Sequence, residues 1–179
     1  TLSGTYSVCA DNQAGGAELV RHLIDRGHTK IAGYFKSDDI QGHQRYSGFI
    51  SELFRSGLII PDENVFWYTT ETKENLFDDP EEVLKRLGDN TAVVCYNDEV
   101  AFGLVKCLLS AGRRVPEDVA VVSFDNSNLS WISQVPITSL SYEDRNIGRI
   151  AAQKLVDILD GRDVSSEVLP WTFIQKESS

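Results

Sequence analysis

Residues 93–103 read "VVCYNDEVAFG": two valines and a cysteine, then Tyr96, then Asn97, Asp98 and Glu99, then an apolar stretch. An apolar run that breaks into polar side chains and turns at once into an amphipathic segment is the pattern of a strand buried on both faces that feeds a covering helix. The strand is expected over "TAVVCY" at 91–96 and the helix over 98–111. The same unit recurs on both sides. "KIAGYF" at 30–35 leads into a helix over 42–56 that carries Tyr46, Phe49, Ile50, Leu53 and Phe54 on one side and stops at Gly57, and "DVAVVSF" at 118–124 is a further buried strand.

The remaining segments fill in the alternation. A helix is predicted over 12–26 from Ala14, Ala17, Leu19, Val20, Leu23 and Ile24, with Asp11 or Asn12 as cap and Gly27 as stop. "NVFWYT" at 64–69 is a strand by its aromatic and branched side chains, and Pro80–Leu87 is a short helix with proline in its first turn. Strands alternating with helices in this way define an α/β class, a doubly wound parallel sheet with helices on both faces. The chain then departs from the pattern: "TSLSY" at 138–142 is followed by an amphipathic helix over 143–160, with Ile147, Ile150, Ala151, Leu155, Ile158 and Leu159 as its stripe and Gly161 as its stop. One helix with few strands of its own indicates a second, incomplete lobe. No internal repeat or low-complexity tract interrupts the chain.

Composition narrows the function classes. Of 179 residues, 41% are hydrophobic and 25% charged, the balance of a soluble globular protein, and no apolar run approaches the ~20 residues of a membrane span. The formal charge of −10 repels the phosphate backbone of nucleic acid, so this piece is not itself a DNA grip. Cys9, Cys95 and Cys107 show no CxxC or Cys/His spacing and read as reduced core thiols of a cytoplasmic protein. The chain starts at a threonine, contains no methionine and has no signal-peptide pattern, which points to a fragment. An upstream segment is where a head domain or an export signal would lie.

In an open parallel sheet the loops after the strand C-termini border the ligand crevice. Here they hold Lys36, Ser37, Asp38, Asp39 and Gln41, with His43 and Arg45 in the next helix; then Asn97, Asp98 and Glu99; then Asp125, Asn126 and Ser127. Carboxylates and amides accept from adjacent hydroxyls and a guanidinium donates in a fixed fork, so the set suits a neutral polyhydroxyl ligand better than a phosphate. No GxxxxGK[ST] or GxGxxG follows a strand, and "AGG" at 14–16 lacks the spacing. Each residue also has a plainer reading. Asn97 or Asp98 alone can be an N-cap, Asp125 can close an Asx-turn, and Arg45 can sit on a solvated helix face. Asp38, Asp98 and Asp125 could converge for acid–base work or Mg²⁺, yet no nucleophile elbow is present and the three histidines have no metal-ligand spacing. Trp67 and Tyr68 can stack on a sugar or belong to the core. Trp131 lies in a loop, "SNLSWISQVP", and suggests a subunit contact.

Taken in order, "LVRHLIDRGHTKIAGYF", "RYSGF", "CYNDEVAFG", "RRVPEDVAVVSFDNS" and "ITSL" followed by "IGRIAAQKLVDIL" resemble the effector-binding core of the lactose repressor family of bacterial transcription regulators. "FKSDDIQGHQR" with "CYNDE" is most similar to its arabinose repressor branch. The resemblance implies a periplasmic-binding-protein-like fold of two lobes joined by three crossovers, with most of the N-terminal lobe and any DNA-binding head absent. Residues 1–9 would end the N-terminal lobe, 10–140 form the C-terminal effector-binding lobe, 141–168 return to the N-terminal lobe for its last helix, and 169–179 rejoin the C-terminal lobe. Position by position, Arg45, Asn97 and Asp125 match the family's sugar-binding residues, while Asn126 departs from a second aspartate. Lys36, Asp39, Gln41 and His43 fall in a cleft-facing loop. The homodimer surface would include Phe102, Val105, Lys106 and Leu109 with the loop around Leu129 and Trp131. The resemblance further implies a sugar effector, arabinose or another pentose, operator DNA bound only through a head domain outside this chain, and no enzymatic activity, cofactor or metal. A periplasmic sugar receptor and an enzyme acting on a sugar stand as alternatives.

Overall fold

Strands that are apolar on both faces need a helix layer on each side, and the chain supplies both. A computed structural model describes residues 5–59, 61–142 and 146–179. Its elements are β1 (Val8–Ala10), α1 (Asn12–Asp25), β2 (Ile31–Lys36), α2 (Ile40–Arg55), β3 (Val65–Tyr68), α3 (Pro80–Leu87) and β4 (Ala92–Cys95). They continue with α4 (Asp98–Ser110), β5 (Ala120–Phe124), α5 (Asn128–Ile132), β6 (Thr138–Ser141), α6 (Ile147–Leu159), β7 (Glu167–Leu169) and β8 (Thr172–Ile174).

The main sheet has the order β3-β2-β4-β5-β6-β8. Its first five strands run parallel, whereas β8 is antiparallel to β6, so the sheet is mixed rather than wholly parallel. Only Pro170 and Trp171 separate β7 from β8. A parallel partner for β6 would need a long crossover back to the opposite end of the sheet, and two residues cannot provide one.

Side-chain alternation along β4 shows how the layers form. Val93 and Cys95 face α3 and α4 with Tyr34, Phe66, Val83, Leu87, Leu104 and Leu108. Ala92 and Val94 face α1 and α2 with Leu19, Leu23, Phe35, Phe49 and Leu53. The contact between α1 and α2 is close because two glycines cross it. A Cβ on Gly48 would stand 1.9 Å from the Gln13 carbonyl oxygen, and one on Gly16 would stand 2.2 Å from the Arg45 carbonyl oxygen. Two helices that approach by their backbones fix the height of α2 over the sheet, and with it the root of Arg45.

The ends of the chain build something separate. β1 and β7 pair as a two-stranded parallel sheet, with α6 against β1. None of α6's residues is buried: Ile147 and Ile150 are half-buried, while Leu155 is 58% and Leu159 77% exposed, so part of the expected stripe is left open. Residues 143–145 of the expected helix lie outside those described. Two other expectations are corrected. Cys9 is exposed, because β1 lacks the two covering layers that bury Cys95 in β4, whereas Cys107 is buried on the sheet-facing side of α4. The segment expected as a loop around Trp131 contains the short helix α5, and Trp131 and Ile132 on it are 56% and 70% exposed.

Candidate ligand-binding cleft

Sheet order reverses between β2 and β4: the chain leaves β2 for β3 on one side and returns to place β4 on the other. Such a switch point splays the flanking loops and opens a crevice at the carboxyl ends of the strands. A cleft of about 460 Å³ lies at this end, lined by Val8, Cys9 and Ala10 of β1, Asn12, Gln41, Arg45, Asp125, Tyr142, Ile147, Gly148 and Trp171. The sheet's opposite end carries a larger, about 590 Å³ depression between Glu63–Phe66 and Lys85–Asn90, away from all these groups.

Arg45 is the centre of the cleft floor. It projects from α2 and is only 3% exposed, so the reading of it as a solvated face residue does not hold. Its Nε donates to Asn12 Oδ1 at 3.0 Å, its Nη2 to Asp125 Oδ1 at 3.2 Å, and its Nη1 to the Tyr96 carbonyl oxygen. The guanidinium lies 4.2 Å from the centre of the Phe124 ring, 4.8 Å from Tyr96 and 5.5 Å from Trp171. Three bonds engage three of the five N–H donors of a guanidinium, so two remain for a ligand. The ring contacts exclude water from its faces and hold the fork in one plane.

Asp125 follows β5 with φ at 94°, in the left-handed region, and Asn126 has φ at 46°. Burial pushes the Asp125 carboxyl above the usual carboxylate range, and the adjacent Arg45 opposes that shift. Arg45 uses only Oδ1, so the carboxylate keeps acceptor capacity for hydroxyl groups.

The other expected residues separate into two groups. Gln41 lines the cleft with Arg45 and Asp125. Lys36, Asp39, His43 and Asn97 do not line it. Asp39 caps α2 by accepting from Gln41 N, and it also accepts from Tyr96 Oη at 2.9 Å; Lys36 lies 3.9 Å from it. His43 is bonded to the Ser37 carbonyl oxygen and packs on Trp67, which is 40% exposed on the edge strand β3. Asn97 is the cap of α4, accepting from Val100 N, which leaves its amide NH₂ as the group it can offer. Asp98, the alternative cap, is instead 1% exposed beneath the sheet end and accepts from Ser139 Oγ, Ser127 N and Ser123 Oγ. It does not line the cleft. No group of three or more His, Cys, Asp or Glu side chains able to hold a metal occurs among the described residues.

Asn12, Tyr142 and Trp171 were not expected. Trp171 donates from its indole N–H to the Asp11 carbonyl oxygen at 3.0 Å and packs on Phe124 and Tyr142. Asn12 was legible only as a cap, a task that Asp11 performs. Trp171 lies in the two-residue link between β7 and β8, where periodicity has nothing to measure.

A framework of this topology, with a cleft at the carboxyl ends of its strands, is that of a periplasmic-binding-protein-like domain. Residues 20–179 match the periplasmic binding protein-like domain, and the chain belongs to that family. It is 35% identical over 160 residues to the arabinose metabolism transcriptional repressor of Halalkalibacterium halodurans, covering 87% of this chain and 42% of that protein. It is 34% identical to the HTH-type transcriptional regulator CelR of Thermobifida fusca, over 84% of this chain and 44% of the relative. The solved transcriptional regulator CelR–cellobiose complex superposes with a TM-score of 0.87 at 31% identity, covering 97% of this chain and 54% of that one. The chain thus spans about half the length of the proteins it matches. No described helix is long and apolar enough to cross a membrane.

Proposed function

We propose that this chain is the effector-binding part of a bacterial sugar-sensing transcription repressor, with a pentose such as arabinose as its effector. The Arg45–Asp125 pair carries the reading. It presents unused donors and unused acceptors side by side on the floor of a cleft whose wall includes Trp171, Tyr142, Cys9 and Ile147. Adjacent hydroxyls of a sugar bridge such a pair, and its C–H faces suit the apolar wall. The arabinose repressors among the relatives support the pentose over other sugars. Gln41 would bind directly, while Asn97, Lys36, Asp39 and His43 would contribute at the rim.

In this reading 10–140 and 169–179 form one lobe, whereas 1–9 and 141–168 belong to a second lobe that closes over the ligand. The β1–β7 sheet, which is separate from the main sheet, and α6 against it, which has no buried residue, support that division. Ligand changes lobe closure only in proportion to its preference for one closure state, and that preference is what alters DNA affinity at an attached head. A homodimer would form through α4 and α5, where Phe102, Lys106 and Ile132 border a groove of about 150 Å³. Leu109, Leu129 and Trp131 would extend that surface, whereas Val105 is 1% exposed and would contribute only at the groove floor. The protein would act in the cytoplasm, without enzymatic turnover.

Fluorescence anisotropy of operator DNA with the full-length protein tests this. L-Arabinose should change operator affinity in the wild type and leave the Arg45→Ala variant unaffected; indifference of the wild type to every pentose would end the proposal.

A further inference from the structure

Asp98 is a buried carboxylate that accepts from uncharged donors. Glu52, also buried, is paired with Arg21 and Arg55. Asp98 is 1% exposed and receives hydroxyl and backbone donors instead: Ser123 Oγ from β5, Ser139 Oγ from β6 at 2.7 Å, and Ser127 N at 2.5 Å. A buried carboxyl group without hydrogen-bond partners is costly, so the three donors are a condition of its being there.

Those donors surround one segment. Ser139 Oγ, while donating to Asp98, also accepts from Asn126 N at 3.0 Å. Asp98 takes Ser127 N directly. The two residues between β5 and Ser127 are Asp125 and Asn126, the only non-glycine residues with positive φ among those described. Left-handed backbone at adjacent non-glycine positions costs free energy and persists where surrounding bonds over-determine it. From the other side, Lys176 Nζ donates to the Asn126 side-chain oxygen at 2.6 Å. The Asp125 N–H donates to the Leu140 carbonyl oxygen, next in the chain to Ser139.

We propose that Asp98 and Ser139 are positioning residues of the effector cleft: they hold the backbone of Asp125 and Asn126 in its left-handed form and so set the Asp125 carboxylate against Arg45. Neither touches the ligand. The functional consequence rests on the sugar-binding reading above; the geometric one does not. An acidic residue just inside α4 is thereby tied to recognition at the end of a different strand, 27 residues later in the chain (125 against 98).

The test uses the full-length protein with Ser139→Ala, Asp98→Ala and Asp98→Asn, read by crystal structures and by calorimetry with L-arabinose. Ser139→Ala keeps the Asp98 side chain and removes one small group, so it should fold, with Asp125 displaced from Arg45 and affinity about tenfold weaker. Asp98→Ala should be worse. Asp98→Asn keeps an acceptor for Ser127 N and an amide that a serine hydroxyl can take, and it should recover most of the affinity, a rescue that general loss of packing would not give. If Asp98→Ala fails to fold, Ser139→Ala decides. An Asp125–Arg45 contact unmoved from 3.2 Å in folded Ser139→Ala would overturn the proposal. Absence of any sugar heat in the wild type would instead remove the sugar reading, and the crystal structures would still decide the positioning.

Discussion

Arg45 and Asp125 stand 80 positions apart in the chain and meet at 3.2 Å on the floor of the cleft. One is raised into place by α2 and the other hangs from the end of β5, so their meeting depends on both the α1–α2 packing and the loop after β5. The pair therefore joins the packing of the fold to the geometry of the cleft.

Truncating Arg45 should damage both. Arg45→Ala leaves Asp125, Asn12 Oδ1 and the Tyr96 carbonyl oxygen without their donor in a buried setting. Removing one partner of a buried ion pair costs about 3–5 kcal/mol. Urea denaturation should register a loss of that size, and Arg45→Lys, which keeps the charge but not the fork, should recover part of the stability and little of the ligand affinity.

The glycine crossing should be intolerant of a single methyl group. In Gly48→Ala the new Cβ meets the Gln13 carbonyl oxygen at 1.9 Å, a backbone atom that cannot rotate away. Overpacking of this kind costs about 1–3 kcal/mol and sometimes more. Because the helix that moves carries Arg45, denaturation midpoint and ligand affinity should fall together, whereas Gly57→Ala, outside α2 and with nothing within 4 Å, should affect stability through its positive φ alone.

A histidine should shape the acid side of the stability profile. His22 is bonded at 2.9 Å to Ser179 Oγ and packs against Phe173; burial pushes its imidazole down to about 4, and Arg26 acts in the same direction. The unfolded chain takes up this proton near pH ~6.5 and the folded chain only near the lower value, so the unfolded state binds more protons in between. The contribution is complete above the unfolded value and is lost as pH falls through the folded one. Chemical denaturation between pH 6.5 and about 4 should show a steeper loss in the wild type than in His22→Gln.

Trp171 offers a direct optical report on the cleft. Trp67 and Trp131 are 40% and 56% exposed, while Trp171 is 9% exposed and lines the cleft. In a Trp67→Phe/Trp131→Phe protein the remaining emission should be blue-shifted and should change on addition of L-arabinose. An emission unaltered at saturating sugar would place the ligand elsewhere.

Much of this was readable in the residues, for reasons that can be given element by element. α3 is found where proline in the first turn placed it, and α1, α2, α4 and the strands β2 to β5 fall within about two residues of expectation. Those elements are long or uniformly apolar, so their period is strong. β1, β7 and β8 have three residues each and α5 five, too few to show a period, and the antiparallel entry of β8 follows from a topological constraint that no local pattern carries. At the site, Arg45, Asp125 and Gln41 were legible from the strand-end rule and the family resemblance. The roles of Asn97 and Asp98 were not, because a cap and a buried clamp one residue apart look alike in sequence. Trp171 was missed since its position depends on a crossover between two sheets.

The central claim is that the Arg45–Asp125 cleft binds a pentose, and isothermal titration of the full-length protein with L-arabinose tests it most directly. Saturable heat at one sugar per chain, abolished in Arg45→Ala while that variant's circular dichroism stays native, is the result predicted. No heat with any pentose, or undiminished heat in a folded Arg45→Ala protein, would contradict it.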